Sequence, residues 1–404
     1  MPRRSLDSAD VRRHNLVLVA TTLARLGPRS RSELADATGL TRGAVTSLVG
    51  ALAQAGLVRE AESVAPEGRG RPRTLLELSG DDLALVTAAV DADHATALAS
   101  TLSAGRLSEH RLRHGRPMGD PGPVADALAA VVARTLDELH AAGRRAVALT
   151  VIAYAPVGGE PPIVLADTDL AWGPVDLVGL LRERLPDLDA ALARDIRLMP
   201  DSIVAAVAEH AAAGSPADLL YLKSDSGIGG ALIAGGELVT GAHGIAGAFG
   251  HLPIVPSGVR CECGQRGCLV TVAGPDAVLA AAGLDTLERT DGLDAALAEF
   301  VLRVRMGEPT ATAAWDDAAE WIARAMQVLA MAADPDRIVL GGYWAQLADD
   351  LARRFAANRP AIAGRGIDGP AVVASAYGAD AAIVGAERAM RIAVLEDPLA
   401  LTSS

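Results

Sequence analysis

All three cysteines of this 404-residue chain, Cys261, Cys263 and Cys268, lie within the stretch CECGQRGC. His251 precedes the first of them by ten positions. Three thiolates and one imidazole form a complete tetrahedral ligand set for structural Zn²⁺. Because four protein ligands leave no open coordination position, the spacing predicts a structural metal rather than a catalytic one.

Two glycines inside the cluster support this interpretation. Gly264 and Gly267 allow the backbone to turn tightly enough for Cys263 and Cys268 to converge. Buried free thiols and a redox pair are the alternative interpretations. Both make poor use of so tight a cluster, and the residue pattern favours zinc.

The charge of the chain is unevenly distributed. Residues 1–73 contain twelve arginines and seven acidic residues, a balance of +5, whereas the whole chain carries −13. The remainder therefore carries −18. This asymmetry indicates a small basic module attached to a large acidic one, although a charged head without function would show the same balance.

The basic module contains the signals of a helix-turn-helix. Ser30 and Glu33 form a capping box that opens a helix over 32–38, and Gly39 suits the turn that follows it. Thr41 is the predicted cap of the second helix. Apolar residues recur at helical spacing on the second helix and on an earlier one, at Val45, Leu48 and Leu52 and at Leu16, Val19, Leu23 and Leu26.

The outer surface of this second helix is the predicted contact with the major groove of DNA. Its exposed residues would be Thr41, Arg42, Gly43, Thr46 and Ser47, which are suited to phosphate and base-edge contacts. Two strands follow and form a wing, with Arg69, Arg71 and Arg73 at its tip spaced to reach a minor groove. Any three-helix bundle could share the apolar pattern, but the caps, the glycine turn and the arginines together favour DNA binding.

From about residue 75 the pattern alternates between strands and helices, which is typical of α/β architecture. The segments LALVTAAVDA and ATALASTLS predict a strand pair, and ADLLYLKSDSGIGGALIAGG predicts another around a glycine-rich turn. Two such lobes with facing turns favour an actin-like sugar-kinase fold. A Rossmann domain is less favoured, because no G-x-G-x-x-G opens a helix after the first strand.

The stretch GIAGAFGH, followed by CECGQRGCL, resembles the metal-binding signature of the ROK family of repressors, open reading frames and sugar kinases. The predicted head, including GRGRP in its wing, is similar to the DNA-binding head of ROK regulators. The resemblance implies a winged helix-turn-helix over 1–75, a first ROK lobe over 76–200 and a second over 201–395. It also implies that the last helix packs back on the first lobe.

The resemblance identifies two phosphate-binding turns, of which the first is altered. Where ROK kinases have Asp-x-Gly-Gly-Thr, this chain has Asp91-Ala92-Asp93-His94-Ala95, so side chains replace both glycines. Backbone amides could not approach phosphate closely there, and Asp93 would repel it. The second turn, over 226–230, keeps its glycines. Half a nucleotide clamp is insufficient for phosphoryl transfer, and we expect no kinase activity.

The family's sugar pocket is also altered. The resemblance assigns Asp201 and His251 to ligand binding, with Asp201 at the position of the kinase base. Two glutamates of the family are replaced by Ala248 and Val270. Losing two charged hydrogen bonds of about 1.5–3 kcal/mol each predicts a changed ligand specificity. A helix N-cap is the other interpretation of Asp201.

These observations predict a DNA-binding transcriptional regulator, expected to be a repressor. A homodimer, or a dimer of dimers, would bind a palindromic site in double-stranded DNA. A small-molecule effector between the lobes, either a sugar or a non-standard ligand, would alter the DNA affinity. The alternatives are a degenerate sugar kinase with a basic head and a metal-responsive regulator in which zinc is the signal.

The sequence also predicts a cytoplasmic protein without membrane partners. No apolar run approaches the roughly 20 residues of a membrane helix. The N-terminal MPRRSLDSAD lacks the apolar core of a signal peptide.

Overall fold

The computed structural model describes residues 8–61, 74–194, 196–357 and 369–397. The first of its parts is a head with three helices and a small sheet. Its elements are α1 (Ser8–Leu26), β1 (Arg29–Ser30), α2 (Arg31–Thr38), α3 (Arg42–Gln54), β2 (Val58–Ala61) and β3 (Leu75–Leu78).

The helix-turn-helix signals of the sequence are realised in α2 and α3. The Glu33 backbone N–H donates to Ser30 Oγ (3.3 Å), and the Ser30 backbone N–H donates to the Glu33 carboxylate (2.8 Å). Gly39 ends α2 in the left-handed conformation, with φ of 72°. Thr41 caps α3 by accepting from the Ala44 backbone N–H (3.2 Å). The capped helix pair is therefore confirmed, one residue longer at its start than predicted.

One of the four residues predicted for the buried apolar surface of α1 is exposed. Leu16, Val19 and Leu23 are buried, whereas Leu26 is 37% exposed. The prediction for Leu26 is wrong because α1 ends there and Gly27 follows with φ of 73°. At a helix end the apolar period no longer determines which surface a side chain faces.

The strands β2 and β3 are antiparallel, with Val58 opposite Leu78, and β1 extends their sheet. Their hydrogen-bonded pairing is that of a wing. The predicted arginines of its tip, Arg69, Arg71 and Arg73, lie outside the described residues.

The first lobe surrounds a five-stranded sheet of order β10-β7-β4-β5-β6. The β4–β5 and β5–β6 pairs are antiparallel, and the β4–β7 and β7–β10 pairs are parallel. Its elements are β4 (Leu83–Val90), β5 (His94–Ser100), β6 (Arg106–Arg113), α4 (Gly122–Ala141), β7 (Arg145–Ala153), β8 (Val157–Gly158), β9 (Ile163–Val164), α5 (Leu177–Arg184), α6 (Leu188–Ala191) and β10 (Arg197–Pro200).

The second lobe surrounds a sheet of order β13-β12-β11-β14-β15, which repeats the strand order and directions of the first. Short 3₁₀ helices cover 249–251, 343–347 and 378–380. The other elements are α7 (Asp201–Ala212), β11 (Leu219–Ser224), β12 (Ile228–Ala234), β13 (Glu237–Leu238), α8 (Val270–Ala273), α9 (Pro275–Ala281), α10 (Asp285–Asp291), α11 (Leu293–Arg305), α12 (Pro309–Ala333), β14 (Arg337–Gly342), α13 (Ala348–Ala357), β15 (Ala371–Ala374) and α14 (Ala381–Glu396).

Helices α7 and α14 pack against each other between the two sheets. A Cβ added to Gly385 of α14 would lie 1.8 Å from the Val204 carbonyl oxygen of α7, so only glycine allows this close crossing. Helix α14 also contacts β4 and β7 of the first lobe, and α7 contacts β11 and β12 of the second. The pair therefore joins the two lobes.

The head is joined to the first lobe by one continuous hydrophobic core. Leu16 and Leu23 of α1 share a cluster of buried residues with Leu85, Val147 and Met390 of the first sheet and α14. Burial of about 25 cal/mol per Å² of apolar surface favours this association.

Within the described ranges, no single helix is both long and apolar enough to cross a membrane. One helix pair, Val270–Ala281 with Asp285–Asp291, meets the criteria of length and composition only jointly, and it bends by 86° at its break. Val278 and Leu279 of this pair are buried in the core of the second lobe.

Candidate functional site

The four predicted metal ligands converge. His251 ends a 3₁₀ helix, and its Nδ1 lies 3.7 Å from Cys261 Sγ. Cys263 Sγ lies 3.6 Å from Cys268 Sγ, and all four ligand atoms lie within 4.8 Å of one another. Tetrahedral zinc, with Zn–S of about 2.3 Å and Zn–N of about 2.0–2.1 Å, requires ligand atoms roughly 3.6–3.8 Å apart. The cluster could therefore hold such an ion.

The loop that carries the cysteines depends on one close backbone approach. The Gly267 carbonyl accepts a hydrogen bond from the Val255 backbone N–H (3.0 Å). A Cβ added to Gly267, which has φ of 74°, would lie 2.2 Å from the Val255 carbonyl oxygen. Glycine at this position therefore lets the chain return far enough for Cys268 to face Cys263.

The pKa values of the thiols differ within the cluster. Burial raises the pKa of Cys263, but hydrogen bonds involving Gln265 and the other cysteines outweigh it and lower the pKa. Burial, together with the neighbouring Cys263 and Cys261, raises the pKa of Cys268 to about 12. Without a metal, Cys268 therefore remains a thiol at neutral pH. Zinc takes thiolates, so its binding would displace protons and compensate the charge of the cluster.

Asp201 lies at the start of α7, where its carboxylate pairs with Lys223 of β11. Pro200, not Asp201, occupies the N-cap position. The N-cap interpretation of Asp201 is therefore wrong. Asp201 is only 5% exposed, so its carboxylate is buried together with the ammonium of Lys223.

Lys223 is the only lysine of the chain, and it lies 6% exposed in the middle of this charged group. Its ammonium contacts Asp225 as well as Asp201 and lies 4.3 Å from the centre of the Tyr154 ring. Burial favours the neutral amine, but the two carboxylates outweigh it and hold the pKa of Lys223 well above its ordinary value. Lys223 therefore carries a charge and is shared between two carboxylates.

Sequence reasoning did not identify Lys223, Asp225 or Tyr154 as site residues. A signal was present, because a lysine within the otherwise apolar strand LLYLKS would be buried with its charge. A buried charge requires a partner of opposite sign, but sequence alone did not reveal which carboxylates supply it.

The two residues assigned to ligand binding adjoin the same turn. This second hairpin turn, residues 225–227, joins β11 to β12. Ser202, next to Asp201, lies 3.8 Å from where a Cβ of Gly229 would be, and Gly250, next to His251, packs against Ile228. The substituted Ala248 and Val270 are half-buried on either side of the cysteine loop. Both replacements are apolar, so they contribute no charge beside the cysteine loop.

The first hairpin turn, residues 91–93, joins β4 to β5 and has a different chemistry. Asp91 Oδ1 accepts from the backbone N–H groups of Asp93 and His94, both at 2.8 Å. Burial raises the pKa of Asp91, but hydrogen bonds from His94 and from these backbone groups outweigh it and lower the pKa. The Asp91 carboxylate thus accepts hydrogen bonds from the backbone amides that the family's turn would offer to phosphate.

The Asp93 carboxylate reaches across to the second lobe. Its Oδ2 accepts a hydrogen bond from the Leu293 backbone N–H (2.8 Å) at the start of α11, a helix that has no cap from its own segment. A carboxylate at a helix N-terminus is favoured by the helix dipole. Asp93 is 5% exposed, so this contact is protected from water.

Arginines of the first lobe strengthen the same contact. Arg116 lies 2.7 Å from Glu288 and 3.6 Å from Asp93, and Arg111 lies 2.5 Å from Asp294. The first hairpin turn is therefore held to α10 and α11 by a set of charged contacts between the lobes.

The glycines in and just after the second hairpin turn are of two kinds. A Cβ added to Gly230 would lie 2.1 Å from the Tyr221 carbonyl oxygen, whereas one added to Gly229 would meet only ordinary contacts at 3.8 Å. One added to Gly227 would lie 4.0 Å from Asp169. Packing requires glycine at Gly230 only, so Gly227 and Gly229 leave backbone open to the cleft.

Asp169 is half-buried and lies beside this open backbone. Burial, together with the negative charge of Asp167, raises the pKa of Asp169 to about 7. Asp169 therefore changes charge near neutral pH, and sequence reasoning gave no indication of it.

The predicted DNA-contacting residues of α3 form one exposed surface. Thr41, Arg42, Gly43, Thr46 and Ser47 are all exposed, while Val45, Leu48 and Leu52 are buried on the opposite side. This surface has a single formal charge, on Arg42. With the wing arginines outside the described residues, the charge contributed by the wing stays a prediction.

The comparisons with known proteins agree with this architecture. A profile of the ROK family matches residues 92–391. The N-acetylmannosamine kinase of Citrobacter koseri is 29% identical over 296 residues, which cover 70% of this chain and 93% of the kinase. The DNA-binding transcriptional dual regulator NagC of Escherichia coli (strain K12) is 26% identical over 276 residues, which cover 66% of this chain and 64% of the regulator.

A solved structure covers the head as well. The ROK family transcriptional regulator described as a homologue of the E. coli MLC protein superposes with a TM-score of 0.73 at 21% sequence identity. The superposition covers 97% of this chain and 98% of the other, so the two share the winged head and the two-lobed actin-like fold. With its profile match over most of the chain, this protein belongs to the ROK family.

Proposed function

We propose that this protein is a DNA-binding transcriptional regulator of the ROK family, acting as a repressor. The observation that carries the proposal is the exposed surface of α3, which presents Thr41, Arg42 and Thr46 opposite a buried apolar side. Small hydroxyl side chains with one arginine are suited to phosphate and base-edge contacts in a major groove. The proposed boundaries are 1–75 for the head, 76–200 for the first lobe and 201–395 for the second.

The relatives support both regulation and catalysis, and the charges in the cleft favour regulation. In a kinase the base must accept a proton from the attacking hydroxyl. Here burial raises the pKa of Asp201 and the pairing with the ammonium of Lys223 opposes this, so the carboxylate is already engaged by a buried cation. Asp93 occupies the N-terminus of α11 at the altered phosphate turn. A phosphoryl group would have to displace both carboxylates of this turn.

We propose a structural role for zinc at His251, Cys261, Cys263 and Cys268. The ion would link the loop of the cysteines to the 3₁₀ helix that carries His251. Four strong ligands predict metal held too tightly for sensing. Rapid exchange of zinc into a chelator, with loss of DNA binding and without unfolding, would instead support the metal-responsive alternative.

The effector of this regulator would bind in the cleft between the lobes. Another relative, from Escherichia coli O6:H1, is an N-acetylglucosamine repressor, so a sugar effector has a precedent in a relative. Here Ala248 and Val270 make the cleft wall apolar, while Asp169, Asp201 and Asp225 make its base acidic. We propose a ligand with fewer hydroxyl groups than a hexose. A homodimer, or a dimer of dimers, would place two heads on a palindromic operator.

The proposal is tested by point variants rather than by removing the head, because Leu16 and Leu23 share a core with the first lobe and truncation would expose it. Fragments of genomic DNA that the full chain retains are selected and sequenced, and binding is repeated with Arg42→Ala and Thr46→Ala. Arg134→Ala is the control, because Arg134 is exposed on α4, remote from the head. Each head variant is expected to weaken binding by about 1–3 kcal/mol, and the control is expected to bind normally. Equal retention by all three variants would refute the proposal.

The second candidate function is a sugar kinase. The 29% identity with the N-acetylmannosamine kinase and the open backbone at Gly227 and Gly229 favour it. It predicts sugar-dependent ATP turnover that disappears in Asp201→Asn. We expect no such turnover in the unmodified chain.

A further inference from the structure

Besides the α7–α14 pair, the lobes are joined at the carboxyl end of β4. The first hairpin turn, residues 91–93, projects from the first lobe there and places Ala92 in the core of the second lobe. Ala92 is 3% exposed and belongs to the same buried cluster as Leu222 and Leu293. The turn therefore packs as part of the opposite lobe, and its carboxylates lie at the boundary between the two.

The Asp93 carboxylate is enclosed by the second lobe. Its Oδ2 accepts a hydrogen bond from the Leu293 backbone N–H, and a Cβ added to Gly292 would lie only 3.1 Å from the same oxygen. Gly292, with φ of 93°, therefore lets the carboxylate approach the first turn of α11. The helix dipole stabilises a negative charge at this end of α11, and burial of Asp93 limits screening by water.

Arg116 strengthens the same contact from the first lobe. Its guanidinium lies 2.7 Å from Glu288 of α10 and 3.6 Å from Asp93, and the Glu288 side chain is mostly buried. Arg116 has φ of 52°, a left-handed conformation that is unusual for a residue with a side chain. Such a conformation persists where the surrounding contacts determine it, so Arg116 and Glu288 form a fixed ion pair between the lobes.

A further arginine contact at this boundary is open to water. Arg111 lies 2.5 Å from Asp294, but the two side chains are 45% and 71% exposed. Exposed ion pairs contribute little to stability, because water and salt screen them. The enclosed residues Asp93, Arg116 and Glu288 therefore account for most of the charged attraction between the lobes at this position.

We propose that Asp93, Arg116 and Glu288 form a latch that holds the two lobes together without a ligand. In the turn that the family uses for phosphate, a carboxylate of the chain itself supplies the negative charge. The effector cleft proposed above lies between the lobes, so opening it requires the latch to separate from α10 and α11. A ligand that favours the open arrangement would shift the population toward the released latch. The latch itself depends neither on the proposed DNA binding nor on an effector.

The latch also fixes the head relative to the second lobe. The head and α14 form one unit with the first lobe, because Leu16, Leu85 and Met390 share a buried core. Helices α10 and α11 belong to the second lobe, where α11 packs against α12. The seated latch therefore ties the unit that contains the head to the second lobe, and its release lets the two move apart.

The test uses the full chain and compares Asp93→Ala with Asp285→Ala. Asp285 is exposed on α10 and pairs with Arg289 of the same helix, so this control leaves the contact between the lobes intact. Asp93→Asn, which keeps the shape of the side chain without its charge, and Arg116→Gln are the further latch variants. Sodium formate supplies the carboxylate that Asp93→Ala lacks, and it is compared with sodium chloride at equal ionic strength.

Two measurements follow the opening of the lobes. Hydrogen exchange of backbone amides is recorded at residues 167–170 of the first lobe and 225–227 of the second. These segments adjoin across the boundary, since a Cβ added to Gly227 would lie 4.0 Å from Asp169. X-ray scattering measures the radius of gyration of the same samples.

Asp93→Ala and Arg116→Gln are expected to accelerate exchange in both segments roughly tenfold or more and to increase the radius of gyration. Asp93→Asn should show a smaller acceleration, and Asp285→Ala none. Formate should restore slow exchange in Asp93→Ala but not in Arg116→Gln, where the carboxylate is still present. Acceleration confined to Leu293 and its neighbours would make Asp93 a local helix cap and overturn the latch. An unchanged radius of gyration in both variants, or no effect of formate on Asp93→Ala, would also overturn it.

Discussion

The two lobes repeat one strand order, yet their equivalent hairpin turns have opposite chemistry. The first turn carries Asp91 and Asp93 and is tied to α11 of the other lobe. The second turn keeps open glycine backbone, and its carboxylate, Asp225, is bound to Lys223 of the preceding strand. The fold thus retains its architecture while only one of its two phosphate turns stays accessible.

The difference lies in how each turn compensates its charge. In the first turn the carboxylates of Asp91 and Asp93 bind backbone amides of both lobes and arginines of the first lobe. In the second turn the lysine compensates two carboxylates within the interior. Changes in the second turn should therefore alter the stability of the whole lobe, and changes in the first should alter the contact between lobes.

The largest effect is expected from Lys223→Met. Removal of the ammonium leaves Asp201 and Asp225 buried without a cation, and breaking a buried ion pair costs about 3–5 kcal/mol of unfolding free energy. Urea unfolding of the variant and the unmodified chain measures the difference. The double variant Lys223→Met with Asp201→Asn should recover part of the loss. A loss below about 1 kcal/mol in the single variant would show that the cluster is not a buried ionic group.

Asp169→Asn tests the raised pKa of the carboxyl beside the second hairpin turn. The folded pKa of Asp169, about 7, lies above its unfolded value, so the folded state binds the extra proton. The stability that it contributes is present below about pH 4 and is lost as the pH rises to 7. The amide should therefore stabilise the protein by up to about 4 kcal/mol at pH 8 and have little effect at pH 4. Unfolding curves at both pH values measure this, and an equal effect at both would contradict the assignment.

Two glycines of β12, just after the second turn, provide a matched pair. Gly230→Ala forces a Cβ to within 2.1 Å of the Tyr221 carbonyl oxygen and should cost about 1–3 kcal/mol or more through overpacking. Gly229→Ala meets no contact closer than 3.8 Å, so its cost should be smaller. Thermal unfolding of the two variants shows whether each glycine is required for packing or only leaves its backbone accessible to a ligand. Equal losses would mean that both glycines are structural.

Asp93→Ala should have the smallest effect of the series. It removes the carboxylate that caps α11, and loss of a cap typically costs about 0.5–2 kcal/mol. The exchange of backbone amides at the start of α11 should accelerate. Asp294→Ala, which removes an exposed ion pair to Arg111, is the control and should cost at most about 1 kcal/mol. Unchanged exchange of the Leu293 amide would show that Asp93 of the first turn does not stabilise the contact between the lobes.

Local signals in the sequence predicted the parts of this molecule that depend on neighbouring residues. The capping box at Ser30 and Glu33 and the convergence of His251 with the cysteines follow from spacing and turn chemistry. The fold class follows from alternating strands and helices, together with the family resemblance.

The contacts that distinguish the two turns could not be predicted in the same way. Asp93 and Leu293 are 200 positions apart, and the Lys223 cluster includes residues of α7 and β11 and Tyr154, which follows β7. A single sequence shows that a buried charge needs a partner but does not show which segments the fold brings together. The prediction for Leu26 was wrong for a local reason, because apolar spacing does not fix the orientation of a side chain at the last turn of a helix.

The central claim is that the exposed surface of α3 binds DNA. The direct test is the affinity of the full chain for its selected duplex between about 50 and 200 mM salt, with Arg42→Ala measured alongside. Counterion release predicts a linear fall of log K with log salt, and removal of one phosphate contact should reduce the slope by about 0.9. An Arg42→Ala variant with unchanged affinity and an unchanged slope would contradict the account.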